Sequence, residues 1–522
     1  MKPSTLIRTL ALGAFLATAA PAPAATAAER SLTLDDAIGM ALRKNEDLVI
    51  ERESLGAAKA AVTGAKGAYD PLIQLDGSWS KSTEPATYLD PTTGTPYLSA
   101  PENREADAGV SIRQLLPTGG SLSVSGNGAR STTDYPFALL TPAYDTRVGA
   151  ELRQPLLRNR GTDAARLSVR VAKAGRRGAV ASLRRAVTET VAAVERAYWT
   201  LVDARRDIEV RQEAVRLAQE QLQETQSRVE TGSVPRTELA QPQAELERRR
   251  GDLLAAGETL SRAENALKVL ILDGDQDPLW SDAIDPVEDA GSDVDSVDVA
   301  SALRQALATR PELEIANALI QRRHAETAFA RDGIWPSLDV VVSYDRYGLA
   351  GSRNPAAPAG TLPAGLDGDL GDSFHSLGTG DYDAARVALV LGLPIGNREA
   401  RGSAEIARRV ERQAETDLVR IRKTIRAEVL DAAAALDAAR QRIEAAKSGR
   451  EAAEVQLAAE RDRYATGLST NFLVLTRQND LSRARLDEIS ALTDYRTART
   501  EMARATGSLI ERHHIDVGEP TR

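Results

Sequence analysis

Side chains able to do chemistry are sparse in this 522-residue chain. It has four histidines, His324, His375, His513 and His514, and no cysteine. Apart from the pair in the tail the histidines are scattered, and no spacing matches a metal-ligand set. The acidic stretch "LDGDLGDSFHSLGTGDYD" (366–383) could be imagined as a calcium loop. Its spacing and ligand types fit no EF-hand, so a mobile external loop is the expectation. Arginine runs such as "ERRRGD" (247–252) read as solvated helix faces of alternating sign. No catalytic, cofactor-binding or metal-ligating set emerges, so neither an enzyme nor a cofactor is expected. A net charge of −9 argues against nucleic acid as the main ligand.

What recurs instead is a helix break. "RVETGSVPRTELAQPQ" (228–243) and "RYATGLSTNFLVLTRQ" (463–478) each interrupt a helical rhythm at Thr-Gly and resume it within a few residues. Glycine can take the backbone sign that other residues resist, which suits a hairpin tip. Thr231, Gly232 and Ser233, with Thr466, Gly467, Leu468 and Ser469, are therefore the expected tips, presenting backbone, hydroxyls and one apolar side chain.

The elements that must carry those tips occur twice. At an offset of 265, Ala37 meets Ala302, Ala41 meets Ala306, Leu42 meets Leu307, Leu48 meets Leu313 and Pro71 meets Pro336. Each copy reads as an amphipathic helix, a proline and an alternating strand. Between prolines and tips the offset falls from 265 to 235, so copy one carries 30 extra residues in its β-region. "ADAGVSIRQLLPTGGSLSVSGNGAR" (106–130) reads as strand, Pro-Thr-Gly-Gly turn and strand, giving four candidate strands in copy one against two in copy two.

After the strands, Val180, Val187, Val194, Leu201, Ile208, Val215, Leu222 and Val229 repeat every seven residues. Val429, Leu436, Ile443, Leu457 and Tyr464 continue the track in copy two, interrupted by Arg450. Small residues three positions on, such as Ala204, Ala218, Ala439 and Ala453, allow close coiled-coil packing. Each long helix, from about 161 to 229 and from about 398 to 464, spans roughly 100 Å. Two half-length helices would lie alongside it (34–68 with 238–272, and 299–332 with 472–507), reversing at the Thr-Gly tip. The fold class is therefore mainly α with β, built by internal duplication.

The first residues read as an export signal (1–28), with Lys2 and Arg8 before a short apolar core and small residues near Ala27 and Ala28. The expected division continues with a first helix–strand–helix repeat (29–280), an acidic linker (281–298), a second repeat (299–510) and a tail (511–522). No later window is apolar enough for a spanning helix, and without cysteine no lipid-modified anchor can follow the signal. A β-barrel is the remaining way to span a membrane.

Signal, duplicated plan and tip motifs together resemble the TolC-like outer membrane efflux proteins over essentially the whole mature chain. "LTLDDAIGMALRKNEDL", "YDPLIQLDGSW", "ELRQPLLRNRG" and the stretch from "RYATGLSTNF" to "EMARATG" carry the resemblance. It implies a homotrimer in outer-membrane lipid, pooling strands into one barrel above a long periplasmic tunnel of about twelve helices. The tunnel tip would dock on a periplasmic adaptor (a membrane fusion protein), linking it to an inner-membrane efflux pump or ABC exporter of a type I system. A periplasmic adaptor or structural coiled coil is the alternative; it would share the helical hairpins but not two β-regions.

Members usually supply four strands per chain to a twelve-stranded barrel, which leaves the 106–130 hairpin unplaced. It could widen the barrel to eighteen strands. Folding over the mouth or into the lumen is the favoured expectation, on the argument that the tunnel fixes the circumference. Some members constrict the tunnel with aspartates after the second tip glycine; here those positions hold Leu473 and Thr476. Glu238, after the first tip, and Tyr464, before the second, are further candidates for a constriction, with a solvated helix-start role equally open for Glu238. Trp79, Trp335, Tyr69, Tyr344 and Tyr347 lie near strand ends, as interfacial aromatics or as β-core packing.

Overall fold

The structure is a computed structural model that describes residues 29–89, 93–288, 298–357, 362–363 and 365–517. The expected export signal (1–28) lies outside the described residues, as do 289–297 of the expected acidic linker and 518–522 of the expected tail.

Copy one runs β1 (Glu29–Leu32), α1 (Leu34–Lys44), α2 (Glu46–Lys66), β2 (Leu72–Thr83), β3 (Ala86–Leu89), β4 (Pro96–Ser99), β5 (Glu102–Leu115), β6 (Ser121–Thr133), β7 (Leu140–Pro155), α3 (Ala164–Glu230) and α4 (Ala240–Ile271). After β8 (Ala283–Pro286), copy two runs α5 (Val299–Thr309), α6 (Pro311–Asp332), β9 (Ser337–Arg353), α7 (Leu370–Thr379), β10 (Asp383–Gly392), α8 (Arg398–Ala465) and α9 (Asn471–Thr506), closed by α10 (Leu509–Arg512). The duplication is thus structural, since α1 and α5 both span 11 residues at the offset of 265.

The helices expected over 34–68 and 299–332 are each broken. Asn45 leaves helical geometry and accepts from the amides of Asp47 and Leu48, starting α2. In copy two Arg310 takes the same extended conformation before Pro311, a residue suited to a first helical turn.

The chain forms two compact units. The first draws on 194–291, 448–493 and the stretch up to 43, and holds both tips. In it β1 pairs in parallel with β8. Glu288 accepts from the Leu34 amide at 2.9 and 3.0 Å and from the buried Tyr198 hydroxyl, holding the start of the first copy.

The second unit draws on 44–193, 292–447 and 494 onward. Its helical core joins Ala302, Ala306 and Leu313 to Ile425, Val429, Leu436, Tyr495 and Met502. Val429 and Leu436 belong to the seven-residue track, and Ala439 is its small partner, fully buried. In α3 the track is buried at Val180 and Val187 in this unit; in the first unit it stays buried at Val194 and Leu201, then drifts to Ala214, Ala218, Gln221 and Thr225. Such drift follows from a helix turning at 3.6 rather than 3.5 residues.

One six-stranded sheet also lies in this unit, in the order β10-β9-β7-β6-β5-β2 and antiparallel throughout. Copy one supplies four strands and copy two supplies two, as the pattern predicts. The favoured placement of the 106–130 hairpin is overturned, because β5 and β6 sit inside the sheet between β2 and β7. The physical reason is the backbone. Ladders from Leu72↔Arg113 to Thr83↔Glu102 and from Ser121↔Arg153 to Ser131↔Ala143 satisfy amides that a hairpin set apart would leave without these partners. The Pro-Thr-Gly-Gly turn is tied down too, with Thr118 donating to Gln154 at 2.7 Å. At Gly119 (φ 86°) a Cβ would lie 2.3 Å from the Asn159 carbonyl.

The mobile loop expected at 366–383 is likewise corrected, for it contains α7. Asp369 and Asp372 form a reciprocal capping box, and Gly380 closes the helix at φ 76°.

Candidate functional site

Both hairpin tips use one backbone solution. Gly232 (φ 73°) donates to the Val229 carbonyl at 3.0 Å and Ser233 to that of Arg228 at 2.8 Å. Gly467 (φ 75°) donates to Tyr464 at 3.1 Å and Leu468 to Arg463 at 2.8 Å. This paired bonding satisfies the last carbonyls of a helix and needs a left-handed residue at its centre. A Cβ at either glycine would meet no neighbour, so the conformation alone selects glycine.

The tips differ in side chains. Thr231 donates to the Arg228 carbonyl at 3.1 Å and shares a 3.0 Å hydrogen bond with Ser233, giving a polar tip. In copy two Thr466 bonds back to Asp462 and Arg463, and Ser469 donates to Glu460. Leu468 is 80% exposed and Phe472 59%, so this tip is apolar.

The structure brings Tyr464 onto copy one. The Arg228 guanidinium lies 4.6 Å from its ring centre, a cation–π contact. Burial raises the phenol above its ordinary pKa, against the pull of Arg228, so it stays neutral at physiological pH. The Gln221 amide donates to Asn471 at 2.7 Å, and Arg248 to Asn479 at 3.0 Å. Arg216, Glu220, Glu224, Arg228, Arg461 and Tyr464 line a cavity of about 500 Å³ between the hairpins. Glu238 is exposed in the 3-10 turn Arg236–Leu239, and Leu473 is exposed beside Phe472. Thr476 bonds back to the Phe472 carbonyl at 2.8 Å. The sequence reading missed Gln221, Arg228 and Asn471. Polar residues beside the small-residue seam were the available signal.

The sheet is a second candidate surface, with two unlike faces. Residues paired across strands share a face. One face carries Ile73, Leu75 and Trp79 on β2, Val110 and Ile112 on β5, Leu122 and Val124 on β6, Val148 and Leu152 on β7, Val342 on β9, and Val387 and Leu389 on β10. All of these are exposed in the single chain. The opposite face carries Ser78, Asp107, Ser123, Asn127, Arg147, Glu151, Arg153, Asp339 and Asp345. Arg147 pairs with Asp345 at 2.9 Å and Arg153 with Asp339 at 2.6 Å. Alternation of this kind is the signature of a strand between lipid and a wet lumen. Among the expected interfacial aromatics Trp79, Trp335 and Tyr344 are exposed rather than packed in a core, whereas Tyr347 lies on the polar face near Arg147.

Among the described residues no helix is long and apolar enough to cross a membrane, and no three acidic, histidine or cysteine side chains gather as a metal site.

A family model described as outer membrane efflux protein matches residues 102–271 and 302–508. No curated protein sequence matches the chain. The fold is similar to the CmeC outer membrane channel of Campylobacter jejuni, at 17% identity and TM-score 0.61, covering 91% of this chain and 85% of that one. VceC of Vibrio cholerae matches at 16% identity and TM-score 0.63, covering 91% and 96%. The open MtrE channel of Neisseria gonorrhoeae matches at 18% identity and TM-score 0.59, covering 91% and 89%.

Proposed function

The chain belongs to the outer membrane efflux protein family, and we propose on that footing that it is the passive exit duct of a tripartite efflux or type I secretion system. As a family member it is an outer-membrane channel and not an enzyme. The finer reading is a homotrimer that receives substrates from an inner-membrane pump or ABC exporter through a periplasmic adaptor. Energy and most of the selectivity would then come from the pump.

The observation that carries this reading is the open six-stranded sheet. Its edge strands are β10 and β2, and six alternating strands leave those edges running in opposite directions. A second copy can therefore pair its β2 antiparallel to the β10 of the first, and three copies close an eighteen-stranded barrel with no free edge. The apolar face turns to lipid and the salt-bridged face to water. Circumference allows the count. A ring of twelve helices at 8–10 Å spacing measures about 100–120 Å, and eighteen strands tilted by about 40° need about 110 Å. The girth of the tunnel therefore does not exclude the hairpin from the barrel.

At the tips, Thr231, Gly232, Ser233, Thr466, Gly467, Leu468 and Ser469 are the proposed adaptor-docking residues. Exposure of Leu468 supports that assignment. Tyr464, Glu238, Leu473 and Thr476 are the proposed constriction, with Arg228 holding Tyr464. A periplasmic adaptor or structural coiled coil has no use for a sheet with one apolar, exposed face.

Extraction from outer membranes tests the proposal. The account expects a detergent-soluble, heat-sensitive trimer that forms ion-conducting pores in planar bilayers. A stable water-soluble monomer would overturn it.

A further inference from the structure

The short helix α7 lies on the apolar face of the sheet, the face read above as lipid-facing, and this inference rests on that reading. Its seat is a row of small residues, Gly128 on β6, Thr146 on β7 and Gly348 on β9, paired in register across one face. A Cβ at Gly348 would lie 2.0 Å from the Ser373 carbonyl, so the helix backbone rests directly on the strand. The Thr146 hydroxyl is buried and bonds the Ser373 carbonyl at 3.1 Å and its hydroxyl at 2.9 Å. Ser376 accepts from the Leu349 amide at 3.2 Å, where β9 has outrun its partner β10. These contacts fix the helix rather than leaving it as a loop over the pore mouth.

Its remaining surface is amphipathic. Leu377 and Ser373 are buried against the sheet, while Leu370 and Phe374, one turn apart, reach over Gly128 of β6 and remain 40% and 49% exposed on that flank. Asp372, His375 and Thr379 are exposed elsewhere around the helix. We propose that α7 is a membrane-interface anchor on the outside of the barrel, with Leu370 and Phe374 inserted among lipid acyl chains and Asp372 and Thr379 at the polar boundary. Continuity selects lipid as the partner. The helix sits on the same face as exposed Val148, Val124 and Leu389, so whatever covers that band meets Leu370 and Phe374 too. An interfacial helix of this kind is held by its buried apolar flank.

The chain has no cysteine, so single-cysteine variants of the full-length protein can carry a nitroxide without background. Labels at Phe374→Cys and Leu370→Cys would be compared with Val124→Cys on the apolar face and Asn127→Cys on the polar face. All are reconstituted in phosphatidylcholine–phosphatidylglycerol vesicles and exposed to oxygen and an aqueous nickel chelate. The proposal expects oxygen-to-nickel collision ratios at 370 and 374 several-fold above that at 127 and close to that at 124. Ratios like that at 127 overturn it, placing α7 in water. Shielding from both reagents also overturns it, marking a contact between subunits. If Val124→Cys itself reads as aqueous, the barrel reading fails, a result distinguishable from failure of the α7 proposal alone.

Discussion

Asn45 and Arg310 stand at equivalent places in the two copies, 265 residues apart, with φ and ψ of −61° and 126° in one and −63° and 123° in the other. Copy one starts its next helix with a side-chain cap. Copy two uses Pro311 and a buried arginine that pairs with Glu312 and Glu428 at 2.9 Å and donates to the Ala505 carbonyl at 3.3 Å. The tips repeat this lesson, with φ of 73° and 75° on unlike side chains. Backbone geometry is common to the copies, and the interactions that hold it are local solutions. The sheet is where the copies diverge, by a hairpin in one and α7 in the other.

Removing the side chain that differs most should separate the copies most. Arg310→Ala leaves Glu312 and Glu428 without their cation in a partly buried site, and about 3 kcal/mol of stability should go. Thermal unfolding of the purified protein measures it. A loss no larger than that of Asn45→Ala would mean the ion pairs add nothing beyond Pro311.

Next come the tips. Gly232→Val and Gly467→Val each force a β-branched residue into positive φ, at about 2 kcal/mol locally. Equal losses in the two variants, read by hydrogen exchange at each tip, would confirm that backbone geometry is the shared element. Unequal losses would show that the side chains set the turn after all. Asn45→Ala should cost about 1 kcal/mol, the ordinary value of a lost N-cap, again by thermal unfolding.

Leu468→Ser has the smallest expected effect on stability, within about 0.5 kcal/mol, because the side chain is 80% exposed. Cross-linking to the adaptor and efflux should nevertheless fall, and Thr231→Ala on the polar tip should affect them less. Full efflux with Leu468→Ser would remove the proposed docking role.

The long helices and the six strands of the large sheet were legible because they rest on periodicity, which needs no partner; the four-residue strands β1, β3, β4 and β8 are too short to show one. Val180 through Leu201 mark a buried seam, and Pro-Thr-Gly-Gly marks a hairpin. The position of that hairpin was not legible, since alternation marks a strand but not the neighbour it pairs with, and β5 and β6 join the sheet through ladders to β2 and β7 that no single motif encodes. The breaks at Asn45 and Arg310 carried a signal, a capping residue and an Arg-Pro step, that the long apolar rhythm obscured. The α7 helix was hidden by glycine and aspartate, although Asp369 and Asp372 are spaced as a capping box. At the tips the turn chemistry was readable. Its partners were not, because Arg228 meets Tyr464 only after the hairpins pack.

Strand number in the assembled barrel tests the account most directly. Single-particle cryo-electron microscopy of the detergent-extracted particle should show threefold symmetry and eighteen strands, with β10 of each subunit paired to β2 of the next. A twelve-stranded barrel with β5 and β6 lodged in its lumen would contradict it.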